Sequence, residues 1–261
     1  MCRALIALLL MVVAAFSVHA ETIKLTNGDW PPYLSKSYKH QGVVSHIVQE
    51  AFKRAGVDVE YGFFPWARAY KNAQLGVDWQ GSVVWSSSEE RVKNFIFSDP
   101  VIFDETVFFH LASKEIRWGT LNDLSKYRIG YTRSYYHGDE FARLEKEGVF
   151  NVEVATYDEN NFRKLLAKRI DLFPLQQVVG METLRTHFSS EDIMKLTYTR
   201  PFRRTPYFLI ISKNVDGAQR YIDLFNQGLS ALRATGQYQK FLEDNQAGLY
   251  RPDEPTQAGL P

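Results

Sequence analysis

The sequence is almost without cysteine. Its single one, Cys2, precedes an apolar run at the extreme N-terminus. Residues 21–261 therefore hold no disulfide, no cysteine nucleophile and no cysteine metal ligand. An excess of one charge sign is also missing. Lys and Arg total 31 and Asp and Glu 30, which excludes the basic surplus of a nucleic-acid binder. No Gly-x-Ser-x-Gly, P-loop, dinucleotide glycine fingerprint or His-Glu-x-x-His is present. His40, His46, His110, His137 and His187 are scattered without metal-ligand spacing, and the carboxylates form no readable acid–base pair. The expectation is a chain with no cofactor, no metal, no nucleic-acid partner and no enzymatic activity.

Long hydrophobic runs are limited to one. Arg3 supplies a positive start, Ala4 to Phe16 is almost unbroken apolar sequence, and Val18-His19-Ala20 places small or short residues before Glu21. This reads as a signal peptide over 1–20, cleaved to give a periplasmic protein. An uncleaved anchor is the alternative reading. The run is too short to span a bilayer comfortably, and no later segment is long enough to try.

What the sequence does have is aromatic residues, at 14%, and a repeating strand–helix pattern. A surplus of Trp and Tyr beyond core needs suits a ligand cleft. Thr22–Thr26 alternates as a strand does, and Val44, Ile47, Val48, Ala51, Phe52 and Ala55 recur at helical spacing up to Gly56. Val57–Phe64 is a strand, Trp66 to Ala73 a helix closed by Gly76, and Gly81–Trp85 a third strand. That order implies a parallel sheet covered by helices. The pattern restarts after residue 113, with strands at 128–131, 152–155 and 172–175 and helices near 138–146 and 162–166. Tyr207–Ser212 is an apolar strand, and Ala218 to Leu232 form a long amphipathic helix ended by Gly236.

The fold class expected is α/β in two lobes, with the ligand cleft between them and two crossing strands, Val107–Ala112 and Tyr207–Ser212, joining them. Residues 21–110 form the first part of lobe one and 111–206 form lobe two. Residues 207–250 return to lobe one, and 251–261 form a frayed tail. Ligands in open α/β sheets bind beyond the carboxyl ends of strands, so two facing sheets make a cleft.

The segment Trp85-Ser-Ser-Ser-Glu-Glu-Arg-Val-Lys-Asn-Phe-Ile-Phe-Ser-Asp-Pro100 resembles the family 3 extracellular solute-binding proteins, the amino-acid-binding components of ABC importers. Leu232, Gly236 and Tyr238 meet the family's C-terminal Leu-x-x-x-Gly-x-Tyr pattern. Gly28-Asp-Trp-Pro-Pro-Tyr33 and Pro65-Trp-Ala-Arg-Ala69 look like a sub-branch of exported binders. The resemblance covers nearly all of 22–246. It implies a type II periplasmic-binding-protein-like fold and hinge closure on a small polar ligand, either an amino acid or a related carboxylate. It also implies a monomer whose partner is an ABC-transporter membrane component. A sensor working through a separate membrane protein, or a dehydratase-like enzyme on the same fold, are the alternatives.

By that resemblance Arg91 is the arginine that grips the ligand carboxylate, and a guanidinium fork matches both carboxylate oxygens at once. The plainer reading of Arg91 is a surface arginine at a helix start. Ser86 and Ser88 match positions where hydroxyls assist, and Ser88 also reads as a helix N-cap. Tyr33 matches an aromatic that packs on the ligand. Trp85 stands where the family is usually smaller, and Trp30 and Trp66 lie near strand ends; for each, core or rim packing is the alternative. Ser134-Tyr135-Tyr136 aligns with the family's Gly-Thr-Thr turn and makes Tyr135 a candidate. Gln176 replaces the carboxylate that usually holds the ligand ammonium, while Asp171 matches a structural position. Arg68, Arg133, Arg203 and Arg204 are further positive residues. Two or more of them facing the cleft would favour an acidic ligand.

Overall fold

The computed structural model describes residues 21–133 and 135–252. The expected signal peptide, Ser134 and residues 253–261 lie outside the described residues. The chain runs β1 (Glu21–Asn27), α1 (Val43–Arg54), β2 (Val57–Phe63), α2 (Trp66–Leu75), β3 (Gly81–Trp85), α3 (Glu89–Asn94) and β4 (Phe95–Leu111). It continues through β5 (Arg128–Thr132), α4 (Asp139–Lys146), β6 (Asn151–Ala155), α5 (Asp158–Leu166), β7 (Phe173–Gln176), α6 (Gln177–His187), α7 (Ser190–Met194) and β8 (Leu196–Tyr198). It ends with β9 (Arg203–Ser212), α8 (Ala218–Ala234) and α9 (Gln237–Gln246). None of these helices is long and apolar enough to cross a membrane.

The main sheet has the order β2-β1-β3-β9-β4-β7, with β8 also on β4, while β5 and β6 form a small parallel sheet. The first three strands are parallel, as the alternation of strand and helix implied. Strand β9 runs antiparallel to β3, and β4 runs antiparallel to β9.

Helix α1 buries Val44, Ile47, Val48, Ala51 and Phe52 on one stripe, and α8 buries Ile222, Phe225, Leu229 and Leu232. The two stripes meet, with the Phe52 and Phe225 rings 5.3 Å apart. Each such ring contributes roughly 1.5–3 kcal/mol by burial. Gly228 lets the helices close: a Cβ there would strike the backbone of Ala51. A second set of cores forms around Phe108, Phe109, Phe141, Phe162 and Phe173. Strand β4 joins these interiors along its length: Val101 and Ile102 belong to the first core, and Val107, Phe108 and Phe109 to the second set.

The β4–β9 pair is longer than the two crossing strands expected. Strand β4 begins at Phe95, not Val107, and pairs with β9 from Phe95–Ser212 to Thr106–Arg203. Val107 and Phe109 already pair with Leu175 and Phe173 of β7, whereas Ile210 and Ile211 pair with β3. The two predicted segments therefore lie at opposite ends of the ribbon and do not pair with each other. Between them, Ile102–Thr106 pairs with Arg203–Tyr207. Asp99 and Pro100 hid it in the sequence, because proline interrupts a strand pattern. The register shifts on both sides of Pro100 accommodate it.

The sequence reading also lacked α6, α7 and β8. Helix α6 carries no clean apolar stripe because it touches both interiors: Gly180 packs on Phe109, and Val179 joins the first core. Its buried Glu182 accepts hydrogen bonds from the Tyr38 hydroxyl (2.6 Å) and from Arg251 Nε (3.0 Å) and Nη2 (2.5 Å). Arg251, placed at the start of a frayed tail, is thus tied into the fold.

Candidate functional site

A cavity of about 580 Å3 opens beyond the carboxyl ends of β1, β3, β5 and β7 and along one face of β9. Seven of the eight residues singled out from the sequence line it: Trp30, Trp66, Trp85, Ser86, Arg91, Tyr135 and Gln176.

The wall from the first region is aromatic and tightly fixed. Trp66 opens α2, and its indole lies directly against Gly28, where any Cβ would overlap the ring. The glycine of Gly28-Asp-Trp is there for this close approach. Trp85 stands edge-on to Trp66 (5.3 Å, 90°) and packs on Tyr70 (5.3 Å). Its Nε1 donates to Ser82 Oγ at 2.7 Å, and Ser82 donates onward to Thr26 O. Val84, between them, has φ of +57°. This left-handed conformation is a strained one for a β-branched residue, and it lies at the register shift that ends β3 beside the cavity.

Arg91 sits on α3, where Ser88 caps the helix by accepting from Arg91 N at 3.3 Å. The arginine reaches back: Nη1 donates to Ser86 O (2.8 Å) and Ser86 Oγ (3.0 Å), and the guanidinium stands 4.8 Å over Trp85. Among the described residues no carboxylate pairs with it, and its Nε and Nη2 edge is left for an anion. A planar fork held at one corner is suited to bidentate binding.

Tyr33 does not line the cavity. It is buried, touches Trp30 (4.8 Å) and donates to Asp104 Oδ1 at 3.0 Å. It supports the wall from behind, because the Pro31–Pro32 turn directs it into the core. Asp104 is 2% exposed, and its Oδ2 has no partner. Burial pushes its carboxyl up to about 7 against the hydrogen bond from Tyr33.

The opposite wall is looser. Tyr135 and Tyr136 are among the exposed aromatics. The Tyr135 hydroxyl donates to Asp158 Oδ2 at 3.0 Å, and Thr132 donates to Oδ1 of the same group at 2.7 Å. Gln176 ends β7 and stands at the N-cap of α6 in the extended region, and it lines the cavity with Tyr207. Asp171 lies elsewhere, gripped by Arg128 (3.0 Å) and Lys114 (2.7 Å). Burial alone would raise its carboxyl, but these partners hold it well below the usual range.

The sequence reading missed Asp29, Val84, Thr205 and Tyr207, and left Arg203 unplaced. Arg203, Thr205 and Tyr207 are alternate residues of β9, so one strand face presents all three to the cavity. That period of two was readable had the strand been started at Arg203. Arg68, Arg133 and Arg204 do not line the cavity. Arg204 points the other way, over Phe103 and near Glu105.

Residues 23–245 match the bacterial extracellular solute-binding proteins, family 3. The chain belongs to this family. Its fold is that of the type II periplasmic-binding-protein-like domains. Solved structures of similar fold include the L-cystine solute receptor of Neisseria gonorrhoeae in the unliganded open conformation (TM-score 0.68, 15% identity, covering 87% of this chain and 92% of that one). Another is the second substrate-binding domain of a putative amino acid ABC transporter from Streptococcus pneumoniae (TM-score 0.66, 18% identity, 86% and 99% covered). A third is a histidine kinase sensor domain (TM-score 0.63, 21% identity, 85% and 95% covered). No curated protein sequence matches this family 3 chain.

Proposed function

We propose that this family 3 protein is a periplasmic solute-binding protein. It captures a small carboxylate-bearing ligand by closing its two lobes, and delivers it to an ABC importer. The observation that carries this reading is Arg91: a guanidinium with no carboxylate partner, steered by Ser86 and Trp85 into an aromatic cavity. Lobe closure around β4 and β9 would exclude water there and strengthen the contact. In this reading β4 and β9 are the two connections, lying where Ile102–Thr106 pairs with Arg203–Tyr207, and lobe two is the chain between them. No step of bond-breaking chemistry is asked of the site, and the protein acts as a binder rather than an enzyme.

Gln176 bears on the ligand class. A neutral amide cannot replace the carboxylate that holds an ammonium, so ordinary α-amino acids bind poorly. The same fold carries a sensor domain in the histidine kinase relative, and a sensing role would begin with the same capture step.

The test is a thermal-shift screen of the exported protein against organic acids, amino acids and amines, followed by calorimetry. A ligand at a hundred times its dissociation constant stabilises by about 2.7 kcal/mol. Arg91→Ala is expected to weaken the best carboxylate by about 2–5 kcal/mol, or roughly thirtyfold to several-thousandfold. Arg91→Lys recovers only part of it, because an ammonium cannot make two parallel bonds. Affinities of the three proteins within about threefold of one another, under roughly 0.7 kcal/mol, would show that the carboxylate anchor lies elsewhere.

A further inference from the structure

Arg91 is not the only arginine in the cavity without a carboxylate. Arg203, on β9, also lines it. Its Nη1 donates to Tyr136 O at 3.0 Å, and the guanidinium lies 5.2 Å over the Tyr136 ring. Among the described residues neither its Nε nor its Nη2 has a partner, and no acid pairs with it. Its neighbour Arg204, on the other face of the strand, does approach an acid, Glu105. The two arginines differ by one residue of strand register, and only the one facing the cavity is left open.

We infer that Arg203 forms a second anion subsite in the cavity served by Arg91, and that the ligand is a small dicarboxylate with a flat, apolar middle. This rests on the proposed carboxylate reading of Arg91. Both cations line the same cavity as Tyr207. Burial and Asp104 raise the Tyr207 hydroxyl to about 12 even with both guanidiniums acting against them. Like charges brought together in a closing, drying cavity repel each other more strongly than in water. A ligand with one carboxylate would leave one guanidinium desolvated and unpaired, whereas a dianion satisfies both. The one carboxylate lining the cavity, Asp29, is exposed at its edge and accepts the Lys36 backbone N–H at 3.2 Å. It is therefore no internal counter-ion for either arginine. Much of the rest of the lining is aromatic, with Trp30, Trp66, Trp85, Tyr135 and Tyr207 offering ring faces and edges to a flat body.

The experiment is calorimetry of the exported protein with matched pairs of probes: terephthalate against 4-carbamoylbenzoate, isophthalate against 3-carbamoylbenzoate, and adipate against its mono-amide. Each pair differs by one negative charge at constant shape. The expected result is at least a tenfold preference for the diacid in one pair, which corresponds to about 1.4 kcal/mol. In Arg203→Gln that preference falls below threefold, and in Arg203→Lys it is partly kept. Arg91→Ala weakens diacid and mono-amide alike. A mono-amide bound as tightly as its diacid, or a tenfold preference surviving in Arg203→Gln, overturns the second subsite and leaves the carboxylate reading standing. If no member of any pair binds, or if Arg91→Ala binds them all as wild type does, the carboxylate reading fails and the second subsite fails with it.

Discussion

Each wall of the cavity is backed by an aspartate, and the two are held differently. Behind the tryptophan wall, Asp104 is 2% exposed, has one side-chain partner in Tyr33 and leaves Oδ2 bare. Behind the tyrosine wall, Asp158 is half-buried, and both its oxygens are engaged, by Thr132 and Tyr135. Burial raises both carboxyls, but only Asp104 reaches about 7. The difference is one of solvent and partners. A partly exposed carboxylate with two side-chain donors can stay ionised, whereas a sealed one with a single side-chain donor favours its proton even with the Glu105 backbone N–H beside it. The first wall is therefore built as core, while the second is built as a surface that can be remade when a ligand arrives.

The largest expected effect breaks this comparison at Asp104. Its folded-state pKa, about 7, stands above the unfolded value of 3.8. Below about pH 4 the group is protonated in both states and costs nothing. As pH rises towards 7 the unfolded chain releases the proton and the folded one retains it, so stability falls across that window and stays low above it. The shift corresponds to a loss on the order of 4 kcal/mol at most. Asp104→Asn removes this dependence at the cost of about 1–3 kcal/mol for an amide N–H left unmatched. Urea unfolding from pH 4.5 to 8.5 should show the wild-type-minus-Asn stability difference declining with pH. A difference that stays flat would mean Asp104 is ionised throughout. Asp158→Asn, on the looser side, is expected to give a much shallower trend.

A smaller effect tests the rigidity of the tryptophan wall. Gly28→Ala puts a methyl group where the Trp66 ring lies. Overpacking of this kind costs about 1–3 kcal/mol. Because Trp66 also lines the cavity, ligand affinity should fall together with the melting temperature, and the tryptophan fluorescence should change. Loss of stability with affinity intact would mean the wall repacks without altering the site.

How much of this was legible in the sequence follows the same division. The Arg91 segment and the wall tryptophans lie close together in the chain, on strand ends and helix starts that periodicity marks plainly. Their contribution to a common cavity could be anticipated. Tyr33 could not be placed, because the same loop exposes Trp30 and buries its neighbour, and nothing local distinguishes the two. Arg203 and Thr205 were hidden by the late start given to β9, which left Tyr207 as a strand end with no partners on its face. Asp104 gave no signal at all: its isolation comes from strand pairing across some hundred residues, Asp104 opposite Thr205. The helix α6, with Glu182 joined to Tyr38 and Arg251, was invisible for the same reason. Long-range pairing, not local propensity, makes those residues what they are.

The smallest effect is a difference between two hydroxyl deletions. Tyr33→Phe takes from Asp104 its only side-chain donor in a sealed site, leaving both oxygens without one. Tyr135→Phe takes from Asp158 one of two donors, in a site that water can reach. Leaving a buried polar group unsatisfied costs about 1–3 kcal/mol, while losing an ordinary hydrogen bond costs about 0.5–1.5 kcal/mol. Tyr33→Phe should therefore lower stability by about 1 kcal/mol more than Tyr135→Phe at pH 8, where both carboxyls tend to ionise. At pH 5 the gap should narrow, because Asp104 is protonated there and needs the donor less. For ligand affinity the order should invert: Tyr135 lines the cavity and Tyr33 does not. Chemical unfolding at the two pH values, with one titration of the best ligand into each variant, reads all three differences. Equal stability losses, unchanged between pH 5 and pH 8, would remove the distinction between a sealed wall and a remade one.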